Sequence, residues 1–291
     1  MGWPDIHAHL THPRLWPDVD AVLARAQAAG VGCIVSNGLD PTDNEAVLAL
    51  AERSPLVRPA LGFYPVDAVM AAMQRDGGAD TPTRSREAVD PEAAIDYLEA
   101  NIERAFAVGE IGLDGYWVPE RFWPQQDAVF RRLVTLAIEA DRPIIIHTRK
   151  REPRALEILR ELAAPRVVWH CFGGKVKLAR QIAEAGHYLS IPANARRSQS
   201  FTRMLETLPR ERLLLETDCP YLSPEPGERN EPANVAGTAA YAAELWHVDI
   251  AEVKTRIEAN FEQLFRAPAS PRDAVASTRV HPTARDGARP R

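Results

Sequence analysis

The stretch Asp5-Ile6-His7-Ala8-His9 lies near the start of the chain and ends a short, partly apolar run. In an extended strand successive side chains alternate between faces, so His7 and His9 are predicted to point the same way. Two neighbouring imidazoles on one face can bind a single divalent metal ion. The alternative is a pair of exposed histidines near a terminus, and the rest of the chain bears on that choice.

Beyond this stretch, short apolar runs alternate with segments of helical periodicity. Such runs are typical of parallel strands that are covered on both faces. Eight strand–helix units predict an α/β fold, a (β/α)8 TIM barrel, which typically needs ~250 residues. An open doubly wound sheet is the alternative, but no Gly-x-Gly-x-x-Gly turn follows a strand. After the opening strand, the predicted strands are residues 31–36, 57–62, 105–110, 143–147, 167–170, 188–191 and 213–218.

The 291 residues divide into a barrel over 1–266 and a tail over 267–291. The tail lacks apolar periodicity and is predicted to be disordered. It is basic, with six arginines against two aspartates counted from Arg266 onward; a solvated tail or a weak electrostatic arm for nucleic acid would both fit. Residues 74–90 read as an insertion loop, because they combine glycine, proline and mixed charge.

Composition limits the classes of function. The net charge of −5 argues against a protein that coats nucleic acid non-specifically. An acidic enzyme can still cleave phosphodiesters, because bound cations reverse the local charge. Three widely spaced cysteines, Cys33, Cys171 and Cys219, predict a reducing, cytoplasmic location without disulfides. No signal peptide and no membrane-spanning stretch is expected, and nothing implies a stable protein partner.

Ionisable residues fall at the predicted ends of five strands. They are His7, His9, Glu110, His147, His170 and Asp218. Catalytic groups of such barrels lie at the C-terminal ends of the strands. Separately satisfied polar caps are the alternative, but four histidines and two carboxylates suit two adjacent divalent ions that share one carboxylate. Glu110 is the expected bridge, and Asp218 could bind a metal and take a proton from the attacking water.

Several ordered motifs resemble the TatD family of metal-dependent nucleases, which belong to the amidohydrolase-like barrels. The resemblance covers about residues 3–266. The matching stretches are Asp5-Ile-His-Ala-His9, Gly109-Glu-Ile-Gly-Leu-Asp114, Ile146-His-Thr-Arg149, His170-Cys-Phe-Gly-Gly174, Glu216-Thr-Asp-Cys-Pro-Tyr-Leu222 and Arg229-Asn-Glu-Pro-Ala-Asn-Val235.

The resemblance implies one ion among His7, His9, Glu110 and Asp218, and a second among Glu110, His147 and His170. It implies magnesium, with manganese or zinc as other possibilities, and a deoxyribonuclease that works 3′→5′ on single strands or DNA ends. Arg149 would bind phosphate, since its fork suits two phosphate oxygens. A surface salt bridge is the alternative role for Arg149.

One departure from the family pattern concerns the turn after the third strand. The family usually has Gly-x-His-Pro, whereas this chain has Gly62-Phe-Tyr-Pro65. Tyr64 can donate a hydrogen bond but binds these ions poorly, so it would contact substrate or simply pack at the barrel mouth. Gly173 stands where the family often has serine. Cys171 and Cys219 are expected to be small buried residues that point away from the neighbouring ligands.

Two other functions compete with the nuclease. The same ligands could polarise the carbonyl of an amide, lactone or ester. A carboxylated lysine on the fourth strand would favour that chemistry, but Glu110 stands there. A non-catalytic binding barrel is expected to have lost a ligand, which is not the case here.

Overall fold

A computed structural model describes residues 2–77 and 88–265. Within these ranges eight parallel strands alternate with helices, as the sequence predicts. The strands are β1 (Trp3–Ala8), β2 (Val31–Asn37), β3 (Val57–Leu61), β4 (Ala107–Asp114), β5 (Ile144–Arg149), β6 (Val167–Trp169), β7 (Tyr188–Ile191) and β8 (Leu213–Leu215). The helices are α1 (Val19–Ala28), α2 (Pro41–Arg53), α3 (Asp67–Arg75), α4 (Pro91–Asn101), α5 (Trp123–Glu139), α6 (Glu152–Glu161), α7 (Val176–Glu184), α8 (Gln199–Thr207), α9 (Val235–Trp246) and α10 (Ile250–Phe265).

The strands form one sheet in the order of the chain, from β1 to β8. Two backbone hydrogen bonds bring its edges together: His9 N–H donates to the Cys219 oxygen, and Asp218 N–H to the His7 oxygen, both at 2.9 Å. The sheet is therefore nearly closed into a (β/α)8 barrel, and its two ends meet where three of the predicted metal ligands lie.

The core follows the two-residue alternation of the strands. Ile144 and Ile146 pack in the layer between sheet and helices, whereas Ile145 belongs to a second cluster. That second cluster also holds Phe261 and Phe265 of α10, which stack near Phe106 below the barrel. The apolar filling at this end leaves the opposite, C-terminal end of the barrel for polar residues.

Several element boundaries differ from the predicted ones. β4 and β5 run past Glu110 and His147 to Asp114 and Arg149, while β8 ends three residues before Asp218. Helix α3 was not predicted, although its buried residues Val69, Met70 and Met73 have helical spacing.

Most of the predicted 74–90 loop lies outside the described residues, as does the 267–291 tail; residues 74 and 75 belong to α3. None of the described helices combines the length and the apolar character needed to cross a bilayer.

Candidate metal centre

The six predicted metal ligands converge at the C-terminal end of the barrel. His7 is fully buried at the end of β1, and His9 follows just beyond it. Their Nε2 atoms are 3.2 Å apart, so the two imidazoles lie on one side of the strand as expected. Glu110 approaches from β4 with 3 % of its surface exposed. His147, His170 and Asp218 complete the group from the ends of β5, β6 and β8.

Glu110 faces a different pair of histidines with each carboxylate oxygen. Its Oε2 lies 3.6 Å from His7 Nε2 and 3.5 Å from His9 Nε2. Its Oε1 lies 2.9 Å from His147 Nδ1 and 3.1 Å from His170 Nε2. One buried carboxylate therefore stands between two sets of nitrogen ligands, which is the arrangement expected of a residue that bridges two ions.

Asp218 joins the set formed by His7, His9 and Glu110, hereafter called the first set. Its Oδ1 lies 3.7 Å from His7 Nε2 and 3.4 Å from His9 Nε2. Neighbouring ligand atoms about 2.1 Å from one ion are separated by about 3.0 to 3.5 Å, so this spacing fits a shared cation. Its side chain is 14 % exposed, more than that of His7 or Glu110, so Asp218 is the carboxylate of this set that solvent reaches.

Hydrogen bonds from the opposite ring nitrogens support metal binding by two of the histidines, His9 and His147. His9 Nδ1 lies 3.2 Å from the Asn37 carbonyl oxygen, and His147 Nε2 lies 3.0 Å from Asp114 Oδ2. Because these oxygens accept, the facing nitrogen carries a proton, and the other nitrogen is the one that would give its lone pair to a bound cation. Partners of this kind orient metal-binding histidines, so these residues fit a cation.

The charges of the cluster depend on burial and on the neighbouring groups. Burial alone would raise the pKa of Glu110, but His170 and His147 outweigh it and hold that pKa well below its usual range. Burial, together with the nearby His170, lowers the pKa of His7. Burial likewise opposes protonation of His147, but its bonds to Asp114 and Glu110 prevail and raise its pKa to about 9. Glu110 therefore stays anionic among the imidazoles.

The backbone around the centre has unusual geometry. Lys150, Cys171 and Asp218, each near the end of a strand, have φ values of 66°, 42° and 55°. Such left-handed conformations are uncommon in non-glycine residues and cluster at functional sites. Gly112 allows β4 and β5 to approach closely, because a Cβ there would lie 1.9 Å from the His147 carbonyl oxygen.

A cavity of about 750 Å³ opens over this centre, and the two predicted substrate contacts lie in its wall. Tyr64 is mostly buried, with its ring 5.2 Å from the His147 ring, and Arg149 is exposed at the end of β5. Burial, reinforced by Glu110 and Asp114, raises the pKa of Tyr64 well above its usual value, so the phenol keeps its proton.

The expectation for the cysteines was correct for Cys219 and wrong for Cys171. Cys219 is fully buried, but Cys171 is only half-buried and lines the cavity. Its left-handed φ breaks the strand alternation on which the expectation was based.

Asp114 and Asp5 are two of the residues in the matched motifs to which the sequence assigned no role. Asp114 contacts His147, and Asp5 accepts hydrogen bonds from Thr217 N–H at 2.9 Å and from the Thr217 hydroxyl at 2.5 Å. Asp5 therefore ties β1 to the segment that carries Asp218. Strand parity could have indicated both: Asp5 shares the parity of His7, and Asp114 that of Glu110.

Comparisons with known proteins agree with the geometry. The sequence matches the family described as TatD related DNase over residues 4–266. An uncharacterized metal-dependent hydrolase, YabD of Bacillus subtilis, is 33 % identical over 268 residues, which cover 90 % of this chain and 98 % of that protein. Human deoxyribonuclease TATDN3 is 31 % identical, covering 91 % and 95 %. The 3′-5′ ssDNA/RNA exonuclease TatD of Enterobacter lignolyticus is also 31 % identical, covering 90 % and 98 %.

Solved structures show the same architecture. YjjV, a TatD homolog from Escherichia coli, superposes with a TM-score of 0.78 at 27 % identity, covering 91 % of this chain and 98 % of that one. The phosphotriesterase homology protein of Escherichia coli, at 17 % identity and a TM-score of 0.64, shares the fold. By the family match over nearly its whole length, this chain belongs to the TatD related DNase family.

Proposed function

We propose that the protein is a divalent-metal-dependent deoxyribonuclease that removes nucleotides from the 3′ end of single-stranded DNA. The observation that carries this proposal is the position of Glu110 between two pairs of histidines. The relatives named as a deoxyribonuclease and as a 3′-5′ ssDNA/RNA exonuclease support the choice of substrate and polarity.

Two ions, magnesium by preference and otherwise manganese or zinc, would occupy the centre. His7, His9, Glu110 and Asp218 would hold one, and Glu110, His147 and His170 the other. Divalent ions in such a pair polarise a phosphoryl oxygen and lower the pKa of a water molecule.

The remaining steps belong to side chains of the protein. Asp218, the partly exposed carboxylate of the first set, would accept the proton of the attacking water. Arg149 would hold the phosphate with two N–H groups, and the protonated Tyr64 would donate a hydrogen bond to a phosphate or leaving-group oxygen. Glu110 would stay anionic throughout, because the facing imidazoles hold its pKa low.

The shape of the cavity favours strand ends as the substrate. The cavity lies at one end of the barrel, and its lining includes the almost fully buried His9 and Glu110. A single strand can insert its terminus into such a pocket, whereas a base-paired duplex would need to fray first. The carbonyl-hydrolase alternative is not proposed, because the fourth-strand position that would favour it holds the buried Glu110.

The proposal is tested with a 5′-labelled single-stranded oligonucleotide and either magnesium or manganese. We expect a ladder of products shortened from the 3′ end, and no such ladder from Asp218→Asn or His147→Ala at equal thermal stability. Asp96→Asn, on the exposed face of α4, is the matched control and should behave as wild type. Failure to shorten any oligonucleotide with either cation, or full activity in Asp218→Asn, would overturn the proposal.

A further inference from the structure

A stacked pair of side chains, Tyr116 and Arg149, stands at the rim of the cavity. The Arg149 guanidinium carbon lies 3.6 Å from the centre of the Tyr116 ring, which places the two groups in face-to-face contact. Tyr116 is 50 % exposed, unusually open for a large aromatic residue. The Trp117 ring meets the Tyr116 ring edge-to-face at 4.5 Å and also lines the cavity.

The stack on Tyr116 leaves the N–H groups of the Arg149 guanidinium without a protein partner in the described part of the chain. No ion pair or side-chain hydrogen bond of Arg149 occurs within residues 2–77 and 88–265, whereas neighbouring Arg151 and Arg154 are both paired with Asp127. Tyr116 covers one face of the guanidinium. The Trp117 ring centre lies farther away, at 5.7 Å, and Arg149 is exposed where it lines the cavity, so part of its guanidinium faces the cavity. Such a group can take a planar ring on its face and an anion at its edge.

One carboxylate connects the backbone that carries Tyr116 with the candidate metal centre. Asp114 Oδ1 accepts the backbone N–H groups of Tyr116 and Trp117, both at 2.8 Å, while Oδ2 of the same side chain faces His147. Gly115 N–H also donates to the Arg149 oxygen at 2.7 Å. The backbone that carries Tyr116 is therefore tied to the residue that orients a predicted metal ligand, and the Arg149 backbone is bonded to the same turn.

We propose that the Tyr116–Arg149 stack binds a nucleobase of the substrate strand next to the scissile phosphate. The base would lie on the free face of the guanidinium, in a tyrosine–arginine–base stack. Proteins bind unpaired bases on aromatic rings and guanidinium planes, and such stacking tolerates every base because each has a π-face. The site would therefore select single strands that carry bases, without reading their sequence. This inference rests on the proposed function, because it assumes a nucleic-acid substrate.

The test pairs protein variants with substrates that lack one base. A series of single-stranded oligonucleotides carries an abasic residue at successive positions from the 3′ end, with every phosphate retained. For wild type, removing the base at one position near the end should raise KM about 10-fold and leave kcat little changed. Tyr116→Ala should raise KM for the intact strand by a similar factor and should no longer distinguish intact from abasic substrate.

Two further variants separate stacking from charge. Tyr116→Phe keeps the ring and should retain the preference for the intact strand. Arg149→Lys keeps the positive charge but removes the plane, so the preference should be lost. A second readout avoids turnover: fluorescence anisotropy with labelled intact and abasic strands, in an Asp218→Asn background with manganese, should repeat the pattern in Kd.

The outcomes distinguish this inference from the proposed function. If oligonucleotides are shortened but base removal has no effect at any position, or if Tyr116→Ala keeps the wild-type preference, the stacking site is refuted while the nuclease proposal stands. If no oligonucleotide is cleaved or bound, both proposals fail together.

Discussion

Asp114 Oδ2, at the end of β4, lies 3.0 Å from His147 Nε2 on the neighbouring strand β5. The carboxylate accepts a hydrogen bond from Nε2, so His147 turns Nδ1 toward Glu110. Carboxylate–histidine pairs of this kind raise the basicity of the ligand and orient its ring. Asp114 thus acts on the proposed metal centre without belonging to it.

Replacing Asp114 should therefore weaken the centre indirectly. We expect Asp114→Asn to lower metal affinity or kcat/KM by about 10- to 100-fold, because an amide no longer enforces the His147 tautomer. Calorimetric titration with manganese and steady-state assays measure the two effects. Asp96→Asn serves again as the control. Unchanged affinity and unchanged kcat/KM in Asp114→Asn would show that His147 is oriented by other contacts.

Tyr64 stands where the family usually has histidine, and its phenol is predicted to donate to the substrate. Tyr64→Phe should lower kcat/KM on single-stranded DNA about 10- to 150-fold, since hydrogen bonds to charged groups contribute about 1.5 to 3 kcal/mol. Manganese affinity should stay the same, because the phenol is not among the proposed ligands. If Tyr64→Phe retains wild-type kcat/KM, the ring only packs against His147.

Asn230 supports the segment that follows β8. Its fully buried amide donates to the Thr217 oxygen at 2.8 Å and to the Tyr221 oxygen at 2.6 Å, on either side of Asp218. Asn230→Ala should lower the free energy of unfolding by about 1 to 3 kcal/mol, the usual effect of unpaired buried polar groups. Urea unfolding measures it.

The matched control for this prediction is Asn101→Ala, whose amide donates to one carbonyl on a less buried surface. It should destabilise the protein less. If both substitutions lower the free energy of unfolding equally, the Asn230 bonds stabilise the protein no more than a bond at the surface does.

His187 makes stability depend on pH at a distance from the metal centre. Burial lowers its pKa from 6.5 to about 4, and its Nδ1 accepts a hydrogen bond from Trp169 Nε1 at 3.2 Å. Between these two values the unfolded chain binds a proton at this residue and the folded chain does not. The contribution of the neutral His187 to the free energy of unfolding is therefore fully present above pH 6.5. It is lost as the pH falls toward 4, by at most about 1.4 kcal/mol per pH unit.

Urea midpoints at pH 7, 6 and 5 test this linkage. His187→Gln keeps an acceptor for Trp169 but does not titrate, so its stability should fall less steeply with pH than that of wild type. Parallel slopes for the two proteins would contradict the assignment to His187.

The positions of the metal-site residues could be predicted because two simple rules act on local sequence. Alternation placed His7 and His9 together, and the rule that barrels collect functional groups at strand ends brought in His147, His170 and Asp218. Side-chain periodicity determines on which face of a strand a residue lies, even where the predicted ends of that strand are wrong. The longer β4 and the earlier end of β8 therefore left the cluster unchanged.

Other features depend on contacts between distant parts of the chain. Parity indicates the faces of Asp114 and Asp5 but not their partners, which the fold brings close; the partner of Asp5 is Thr217, more than two hundred residues away. The exposure of Cys171 follows from a left-handed φ that no residue pattern indicates. The stack of Tyr116 on Arg149 joins the segment after β4 to the end of β5, and spacing along either one does not reveal it.

The central claim is that Glu110 serves two cation sites at once. Anomalous diffraction from crystals of the full chain soaked in manganese tests it most directly. The account predicts two peaks roughly 3.5 to 4 Å apart on opposite sides of the Glu110 carboxylate, one near His7 and His9 and the other near His147 and His170. A single peak at full occupancy, or peaks that do not contact Glu110, would contradict it.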